Sequence, residues 1–298
     1  MSRSYATTLS VIALCAALLW RSAVCCAQSV VGDSTARERL RVGLVLGGGG
    51  AKGAAEVGVL KVIEEVGLPV DYIAGTSIGA INGGLYAIGY DASQLETLYL
   101  DQDWIDMFVS GATLDELKRL TNGYDVVSFD SLPIPYRCVA VDIEAMQEVV
   151  IDSGCLAEAM RASMAVPGVF KPVTVDGRTL VDGGVLNNLP VDVVRAMGAD
   201  VVIAVDLTQN KHKTRNIELT SSGLIGKAIG WVVSRPDIKK YNDNVADADV
   251  YINPALDGYT AAHFTVKKIA EMIAVGYKAG SDSRRKLKSL KKRVMQGR

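Results

Sequence analysis

The protein has 298 residues, of which 32 are basic, 33 are acidic and 49% are hydrophobic, and its net charge at neutral pH is −1. A chain of this length and apolar content folds around a sizeable core, which excludes a disordered or low-complexity protein. The balanced charge disfavours nucleic-acid binding, which needs a strongly basic surface. Five cysteines without a C-x-x-C pair and two histidines do not provide a zinc site.

Residues 1–27 have the features of a secretory signal peptide. A mostly apolar run at residues 9–20 follows Arg3, and small residues lead to a cleavage position near Ala27. The run is shorter than the roughly 20 residues that span a membrane. We therefore expect an exported protein that is periplasmic, associated with the outer membrane or secreted. An uncleaved anchor remains the alternative.

Cleavage leaves two cysteines, Cys138 and Cys155, in the mature chain. They could form a disulfide in an oxidising compartment, but the sequence does not place them in contact. Two buried free thiols are the favoured interpretation.

The first part of the mature chain alternates strands with helices. A strand at 41–46 leads through four glycines into a helix at 51–66, and a strand at 70–74 leads through a turn into a helix at 78–88. This alternation predicts an α/β protein with a mainly parallel sheet that is covered by helices on both faces. Functional groups of such sheets lie at the carboxyl ends of the strands.

Farther along, the pattern continues without a Pro- or Ser-rich linker, which indicates one domain. The sequence predicts further strands at 136–143, 148–151, 179–181, 200–205 and 250–253, and further helices at 157–164, 190–198, 224–233 and 266–279.

The C-terminal residues 284–298 contain eight basic residues and no acidic one, so the domain proper is predicted to be residues 28–283. A tail of this charge could rest on an anionic lipid surface as a peripheral membrane contact. The other interpretation is a solvated or frayed helical end.

Residues 75–79 read Gly-Thr-Ser-Ile-Gly, a G-x-S-x-G pattern between a predicted strand and a predicted helix. In this context the turn holds the serine in a strained conformation, and the small flanking Gly75 and Gly79 let strand and helix approach each other. The positive end of the helix favours a developing alkoxide. The pattern predicts Ser77 as a nucleophile, and the alternative is a tight turn with a capping serine.

Residues 47–53 read GGGGAKG and join the first predicted strand to the first predicted helix. Consecutive glycines let several main-chain N–H groups point at one anion, which could be a phosphate or the oxyanion of acyl transfer. The residues on either side of Lys52 do not fit a phosphate-binding P-loop. A dinucleotide site needs an acidic residue at the end of the next strand, whereas Asp71 lies at its beginning. We therefore favour an oxyanion hole formed by Gly48, Gly49 and Gly50.

A nucleophilic serine needs a base, and the candidate is Asp182, at the end of a predicted strand of the parallel sheet. A partly buried carboxylate is basic enough to accept the proton of a serine that is acidified by oxyanion donors. Neither His212 nor His263 lies in a recognisable catalytic motif. With Asp182 as the base, activity is expected to fall on the acid side without the near-neutral inflection of a histidine base. The alternative is that Asp-Gly-Gly is only a turn.

The segments GGGAKG, GTSIG and DGG follow one another at residues 48–53, 75–79 and 182–184, and together they resemble the patatin-like phospholipase family of lipid acyl hydrolases. The similarity covers about residues 40–280. The resemblance implies a three-layer α/β/α sandwich around a mainly parallel sheet, Ser77 and Asp182 as a catalytic dyad, and no metal or organic cofactor. The supporting residues of the motifs are Lys52, Gly53, Gly75, Gly79, Gly183 and Gly184.

The sequence therefore predicts a serine acyl hydrolase of the phospholipase A or esterase type, which cleaves a membrane lipid or another lipid ester through an acyl-enzyme. A catalytically silent lipid-binding or scaffold protein of the same fold and a nucleotide-binding protein remain open as alternatives. The chain departs from the family pattern at two places. Only residues 105–130 stand where exported relatives carry a longer insertion, and Glu56 occupies a position where histidine is common.

Overall fold

Strands form the centre of the described part of the chain, which in this computed structural model comprises residues 39–104, 113–122, 124–125, 127–208 and 238–297. In chain order they are β1 (Val42–Leu46), β2 (Tyr72–Thr76), β3 (Val127–Ser128), β4 (Tyr136–Asp142), β5 (Gln147–Ile151), β6 (Ser153–Gly154), β7 (Val173–Val175), β8 (Arg178–Asp182), β9 (Val201–Val205) and β10 (Val250–Ile252).

Eight of these strands form one sheet in the order β10-β9-β1-β2-β4-β8-β7, with β5 also paired to β4. The five strands from β10 to β4 are mutually parallel, and β5, β7 and β8 join by antiparallel pairing. The short strands β3 and β6 pair separately. The prediction of a mainly parallel sheet is confirmed.

Helices cover both faces of the sheet. They are α1 (Ala54–Val66), α2 (Ile78–Ala87), α3 (Ala92–Asp101), α4 (Thr113–Leu120), α5 (Leu156–Ser163), α6 (Val191–Ala196), α7 (Ile238–Asp247), α8 (Val266–Asp282) and α9 (Arg284–Gln296), with 3-10 turns at Gly50–Gly53, Phe129–Ser131 and Gly183–Val185. Alternate side chains of β1 separate the two layers because successive residues of a strand point to opposite faces. Leu44 packs in a cluster with α1, α2 and α8, whereas Val45 packs with α6 and α7. The expected three-layer α/β/α arrangement is confirmed.

The direction of β8 differs from the prediction. The sequence placed Asp182 at the end of a strand in a parallel sheet, but β8 runs antiparallel to both β4 and β7. A tight turn with positive φ at Asp176 and Gly177 connects β7 to β8. Such a short connection allows only an antiparallel pair, since a parallel pair needs a crossover of a dozen or more residues.

The basic C-terminal segment forms α9, a packed helix rather than a frayed end. The apolar side chains Leu287, Leu290 and Val294 are buried in the main core. The Lys291 ammonium donates to the carbonyl of Val66 at 2.8 Å. Three apolar residues at helical spacing therefore fix one face of α9, while most of its basic residues face outward.

Several sequence predictions lie outside the described residues: the signal peptide, the helix at 224–233 and His212. The described cysteines are both free thiols, of which Cys138 is buried, as expected, and Cys155 is partly exposed.

Candidate active site

Ser77 lies between β2 and α2, at the amino end of the helix. Its backbone has φ 57° and ψ −124°, a left-handed conformation that residues other than glycine rarely adopt. The Ser77 N–H donates to Oγ of Ser163 at 2.9 Å, and the Ser163 hydroxyl donates to the carbonyl of Val139 at 2.6 Å. Ser163 therefore stabilises the strained backbone of Ser77 through its main-chain N–H. The Ser77 hydroxyl takes no part in this contact.

The glycines beside Ser77 allow a close approach of strand, helix and neighbouring backbone. A Cβ atom at Gly75 would lie 2.3 Å from the carbonyl oxygen of Gly79, and one at Gly79 would lie 2.2 Å from that of Leu46. These distances are too short for any side chain. The close approach that the G-x-S-x-G pattern predicts is therefore present here.

Asp182 and Ser77 meet because β2 and β8 share one edge of β4. Thr76 of β2 pairs with Val139, and Asp182 of β8 pairs with the next residue, Ala140. β5 pairs with β4 at both positions, so it occupies the other edge. The parallel β2 and the antiparallel β8 thus end against each other, which brings the Ser77 hydroxyl close enough to the Asp182 carboxylate to lower its pKa.

The Asp182 carboxyl group is buried, with 6% of the residue exposed. Burial raises its pKa to about 6, against the opposing effects of the hydrogen bond from Ser77 and of another from the Gly184 N–H. The Gly184 bond to Oδ1 measures 2.7 Å. At pH 7 the group is therefore largely ionised and more basic than an exposed aspartate.

Gly183 and Gly184 keep the chain close to Asp182. A Cβ atom at Gly183 would lie 2.2 Å from the carbonyl oxygen of Val139, and one at Gly184 would lie 3.0 Å from Oδ1 of Asp182. Residue 184 must therefore be small, so that its N–H can reach Oδ1 of Asp182.

The glycine loop (residues 47–50) runs beside the serine, since a Cβ atom at Gly48 would lie 3.1 Å from Cβ of Ser77. The Gly48 N–H already donates to the carbonyl of Asn188 at 3.2 Å. The N–H groups of Gly49 and Gly50 find no acceptor among the described residues. Of the three donors that the sequence suggested, two are therefore free to bind an anion, and Gly50 adopts the positive φ of 59° that glycine tolerates.

Lys52 and Gly53 follow this loop. The Lys52 side chain is half-buried, and burial lowers the pKa of its ammonium against the attraction of Asp257 and Asp206. A Cβ atom at Gly53 would lie 2.4 Å from the Ile78 side chain, so glycine lets the loop pack against α2.

Two residues at this site were not identified from the sequence. They are Ser163, which supports Ser77, and Asn188, which binds Gly48 through its main chain and its side chain. The only signal was position, because Asn188 follows the Asp-Gly-Gly segment at a short distance. His263 is not part of the site: its Nδ1 accepts the Thr260 N–H at 3.1 Å, and it has no hydrogen bond to Ser77 or Asp182 among the described residues.

Glu56 is a second buried carboxyl group, on α1 beneath the glycine loop. Its Oε2 accepts a hydrogen bond from the Asn82 amide at 2.8 Å, while Oε1 has no hydrogen-bond partner in the part of the chain that the structure describes. Burial raises its pKa well above the usual range, opposed by the hydrogen bond from Asn82. Burial therefore disfavours the ionised form of this carboxyl group. Elsewhere in the described part of the chain, no three His, Cys, Asp or Glu residues gather where they could hold a metal ion.

Comparison with known proteins gives a family. The model of the patatin-like phospholipases matches residues 44–132 and 146–195. Patatin-like phospholipase domain-containing protein 7 of Mus musculus is 34% identical over 280 residues, which cover 80% of this chain and 20% of that protein. The chain belongs to the patatin-like phospholipase family. A further relative, lysophospholipase nte1 of Aspergillus fumigatus, is 32% identical over 281 residues, which cover 83% of this chain and 18% of the relative.

This family member spans about one fifth of the length of the curated relatives that it matches. Among solved structures, VipD from Legionella pneumophila superposes with a TM-score of 0.50 at 15% identity, over 85% of this chain and 67% of that one. At this identity the similarity concerns the fold alone, and it agrees with the α/β sandwich described above.

Proposed function

We propose that the protein is a serine lipid acyl hydrolase that cleaves fatty-acyl esters by a Ser77–Asp182 dyad. The observation that carries the proposal is the proximity of a strained serine at a helix amino end to a buried carboxylate whose pKa burial raises to about 6. The amides of Gly49 and Gly50, which have no acceptor within the described ranges, supply the oxyanion donors that acyl transfer needs beside a nucleophile and a base. Family membership and the lysophospholipase named among the relatives support a lipid ester as the substrate class.

In the first step the Asp182 carboxylate accepts the hydroxyl proton while Oγ of Ser77 attacks the acyl carbonyl carbon. The carbonyl oxygen becomes an oxyanion, which the Gly49 and Gly50 N–H groups stabilise. The intermediate then collapses: the ester bond breaks, the alcohol leaves with the proton held by Asp182, and the acyl group remains on Ser77.

In the second step Asp182 accepts a proton from water, and the resulting hydroxide attacks the acyl-enzyme. The same amides stabilise the second oxyanion. The fatty acid leaves, and Asp182 returns its proton to Oγ of Ser77. Each step leaves the carboxylate as it began, so no external acid or base is consumed.

The test is covalent labelling by an alkyl fluorophosphonate, followed by intact mass, beside hydrolysis of lysophosphatidylcholine, phosphatidylcholine and triacylglycerol. Wild type is expected to gain one adduct, Ser77→Ala none, and Asp182→Asn to react at least 100-fold more slowly. The exposed Ser131 provides the matched control, since Ser131→Ala removes a loop hydroxyl away from the site.

A folded wild type that forms no adduct and cleaves no ester would contradict the proposal in favour of a silent lipid-binding or scaffold protein. An adduct that persists in Ser77→Ala would assign the nucleophile elsewhere. Saturable nucleotide binding without serine reactivity would favour the nucleotide-binding alternative.

We also propose a peripheral membrane contact through the basic face of α9 (Arg285, Lys286, Lys288 and Lys292). All four side chains are exposed, and none has an ion pair among the described residues. Each such residue near an anionic surface contributes about 1 kcal/mol. Within the described residues no helix is both long and apolar enough to cross a membrane.

The position of α9 sets the orientation of that contact. Lys291 binds the carbonyl of Val66 at the carboxyl end of α1, and Arg293 pairs with Asp249 just before β10 begins. Both contacts lie at the amino ends of the parallel strands, whereas Ser77 follows the carboxyl end of β2. A surface that binds α9 would therefore face away from the serine.

Vesicle binding tests this contact, with Ser77→Ala as the background so that no lipid is consumed. Replacement of Arg285, Lys288 and Lys292 by glutamine is expected to weaken binding to phosphatidylglycerol vesicles at least tenfold, but not to pure phosphatidylcholine. The matched control replaces Lys171, Arg178 and Lys267, three exposed cations elsewhere. Equal losses in the two triple variants would contradict a role for α9.

Export remains our proposal for the location of the protein, on the sequence features of residues 1–27. Cell fractionation and amino-terminal sequencing of the product test it. A mature chain that begins near residue 28 outside the cytoplasm would support export, and a full-length cytoplasmic product would contradict it.

A further inference from the structure

Asn188 forms hydrogen bonds with both polar main-chain groups of Gly48. Its main-chain carbonyl accepts the Gly48 N–H at 3.2 Å, and its side-chain Nδ2 donates to the Gly48 carbonyl at 3.1 Å. Both polar backbone groups of Gly48 are therefore satisfied by a single residue. Asn188 lies between the turn that follows Asp182 and helix α6.

The Asn188 amide is also tightly packed against the rest of the site. A Cβ atom at Gly48 would lie 2.4 Å from Oδ1 of Asn188, and one at Gly184 would lie 2.6 Å from the same oxygen. The second hydrogen bond of Nδ2, at 3.3 Å to Oγ1 of Thr208, anchors the side chain to the segment after β9. The amide thus joins the glycine loop to the segment that carries Asp182.

A run of glycines needs such an anchor. Glycine loses more conformational freedom on folding than any other residue, so the loop has many competing conformations. Donors stabilise an oxyanion only when they are held in place before the charge develops. Fixing the Gly48 carbonyl determines the direction of the Gly49 N–H, because both belong to one planar peptide group, and it restricts the start of the turn that orients the Gly50 N–H.

We propose that Asn188 is a positioning residue for ester hydrolysis, whose side-chain amide fixes Gly48 so that the Gly49 and Gly50 N–H groups converge on the oxyanion. The inference rests on the proposed function, because it assigns a role within that same reaction. It concerns a residue that does not touch the substrate and acts through the loop alone.

Three variants test the role: Asn188→Asp, which keeps the shape but lacks the donor, and the smaller Asn188→Ser and Asn188→Ala. Each is expected to lower kcat for a short monomeric ester by about 10-fold to 100-fold, somewhat less than the 100-fold to 1,000-fold typical of a lost oxyanion donor. KM is expected to stay within about twofold, since ground-state binding does not use the amides.

The affinity for an alkyl trifluoromethyl ketone is a measurement that a purely structural role of Asn188 would not change. Oγ of Ser77 adds to the ketone carbonyl, the carbonyl oxygen becomes an alkoxide, and the proton passes to Asp182. Affinity for this inhibitor is expected to fall by the same factor as kcat/KM in every Asn188 variant.

Asn253 provides a control, because its Nδ2 likewise donates two hydrogen bonds, here to the carbonyls of Asp206 and Thr208, and it has no hydrogen bond to the glycine loop among the described residues. Asn253→Asp is expected to alter stability but to leave inhibitor affinity within about threefold. Folding of all variants is checked by circular dichroism and thermal unfolding, and the Ser and Ala variants decide the matter if Asn188→Asp does not fold.

Folded Asn188 variants with unchanged kcat and unchanged inhibitor affinity would overturn the inference while wild-type hydrolysis still supported the proposed function. A loss of stability with an unchanged rate per folded molecule would likewise reduce Asn188 to a scaffold residue. A wild type without hydrolysis or serine labelling would instead overturn the proposed function itself.

Discussion

The hydroxyl of Ser77 lies close enough to the carboxylate of Asp182 to lower its pKa, although the strands that precede them run in opposite directions. The pair forms because β2 and β8 approach each other end to end along one edge of β4. This arrangement buries the carboxylate while leaving it in contact with the serine, and the burial has measurable consequences for rate and for stability.

The pH dependence of hydrolysis follows from the Asp182 carboxyl group, whose pKa burial raises to about 6. The base is active only when ionised, so kcat/KM is expected to fall below a midpoint near pH 6. This revises the expectation of a profile without a near-neutral inflection, which assumed a smaller effect of burial. The profile is measured with a soluble ester.

Histidine variants distinguish Asp182 from a histidine as the catalytic base, because the ordinary pKa of histidine, about 6.5, lies in the same range. His212→Ala and His263→Ala are each expected to keep the acid limb unchanged. Loss of the limb in either variant would contradict a Ser-Asp dyad.

The same burial costs stability. Burial makes the ionised form of Asp182 unfavourable in the folded protein. Because the folded pKa of about 6 lies above the roughly 3.9 of an unfolded aspartate, the contribution of the protonated group to stability is complete below about pH 4. This contribution is lost as the pH rises through about 6. Asp182→Asn, which stays neutral, is therefore expected to be more stable than wild type above pH 6 by up to about 3 kcal/mol. Urea unfolding from pH 4 to pH 8 measures this difference. A constant difference across that range would contradict the assigned burial cost.

Ser163→Ala tests the support behind the nucleophile. The change leaves the Ser77 N–H and the Val139 carbonyl without their buried partner. An unsatisfied buried group costs about 1–3 kcal/mol, so a decrease of this size in the free energy of unfolding is expected, together with a lower kcat. Ser131→Ala, at an exposed position, is expected to stay within about 0.5 kcal/mol of wild type. Unchanged stability of Ser163→Ala would show that water or another group replaces the hydroxyl.

Burial of the Glu56 carboxyl group is expected to make stability depend on pH, because its ionised form is disfavoured in the folded protein. Its folded pKa is raised well above the usual value, so its stabilising contribution is present below about pH 4.3 and is lost as the pH rises toward the folded pKa. Glu56→Gln is therefore expected to match wild type at pH 4 and to exceed its stability at pH 8. The reverse order at pH 8 would contradict a pKa of Glu56 that burial raises.

Glu56→Ala is the informative comparison, because it removes the acceptor of the Asn82 amide and leaves a cavity under the glycine loop. It is expected to be less stable than wild type at every pH. Equal stability of the Ala and Gln variants would indicate that the buried carboxyl hydrogen bond contributes nothing.

The sequence by itself determined the local units. Strand, turn and helix patterns around residues 47–53 and 75–79 depend on neighbours along the chain, so glycine spacing and apolar periodicity were sufficient to predict the two loops and the serine between them. They also sufficed for the fold class, since alternating strands and helices can bury their apolar faces only around a mainly parallel sheet.

Only the tertiary structure decided how those units meet. The direction of β8, the engagement of the Gly48 N–H by Asn188 and the support of Ser77 by Ser163 are pairings between residues far apart in the chain. The packing of α9 onto the core was also not predicted. The sequence analysis gave weight to its strong charge and not to the three apolar residues that bury one face of the helix. Local patterns carry no information on such contacts, since hydrogen bonding and burial depend on which surfaces the folded backbone brings together.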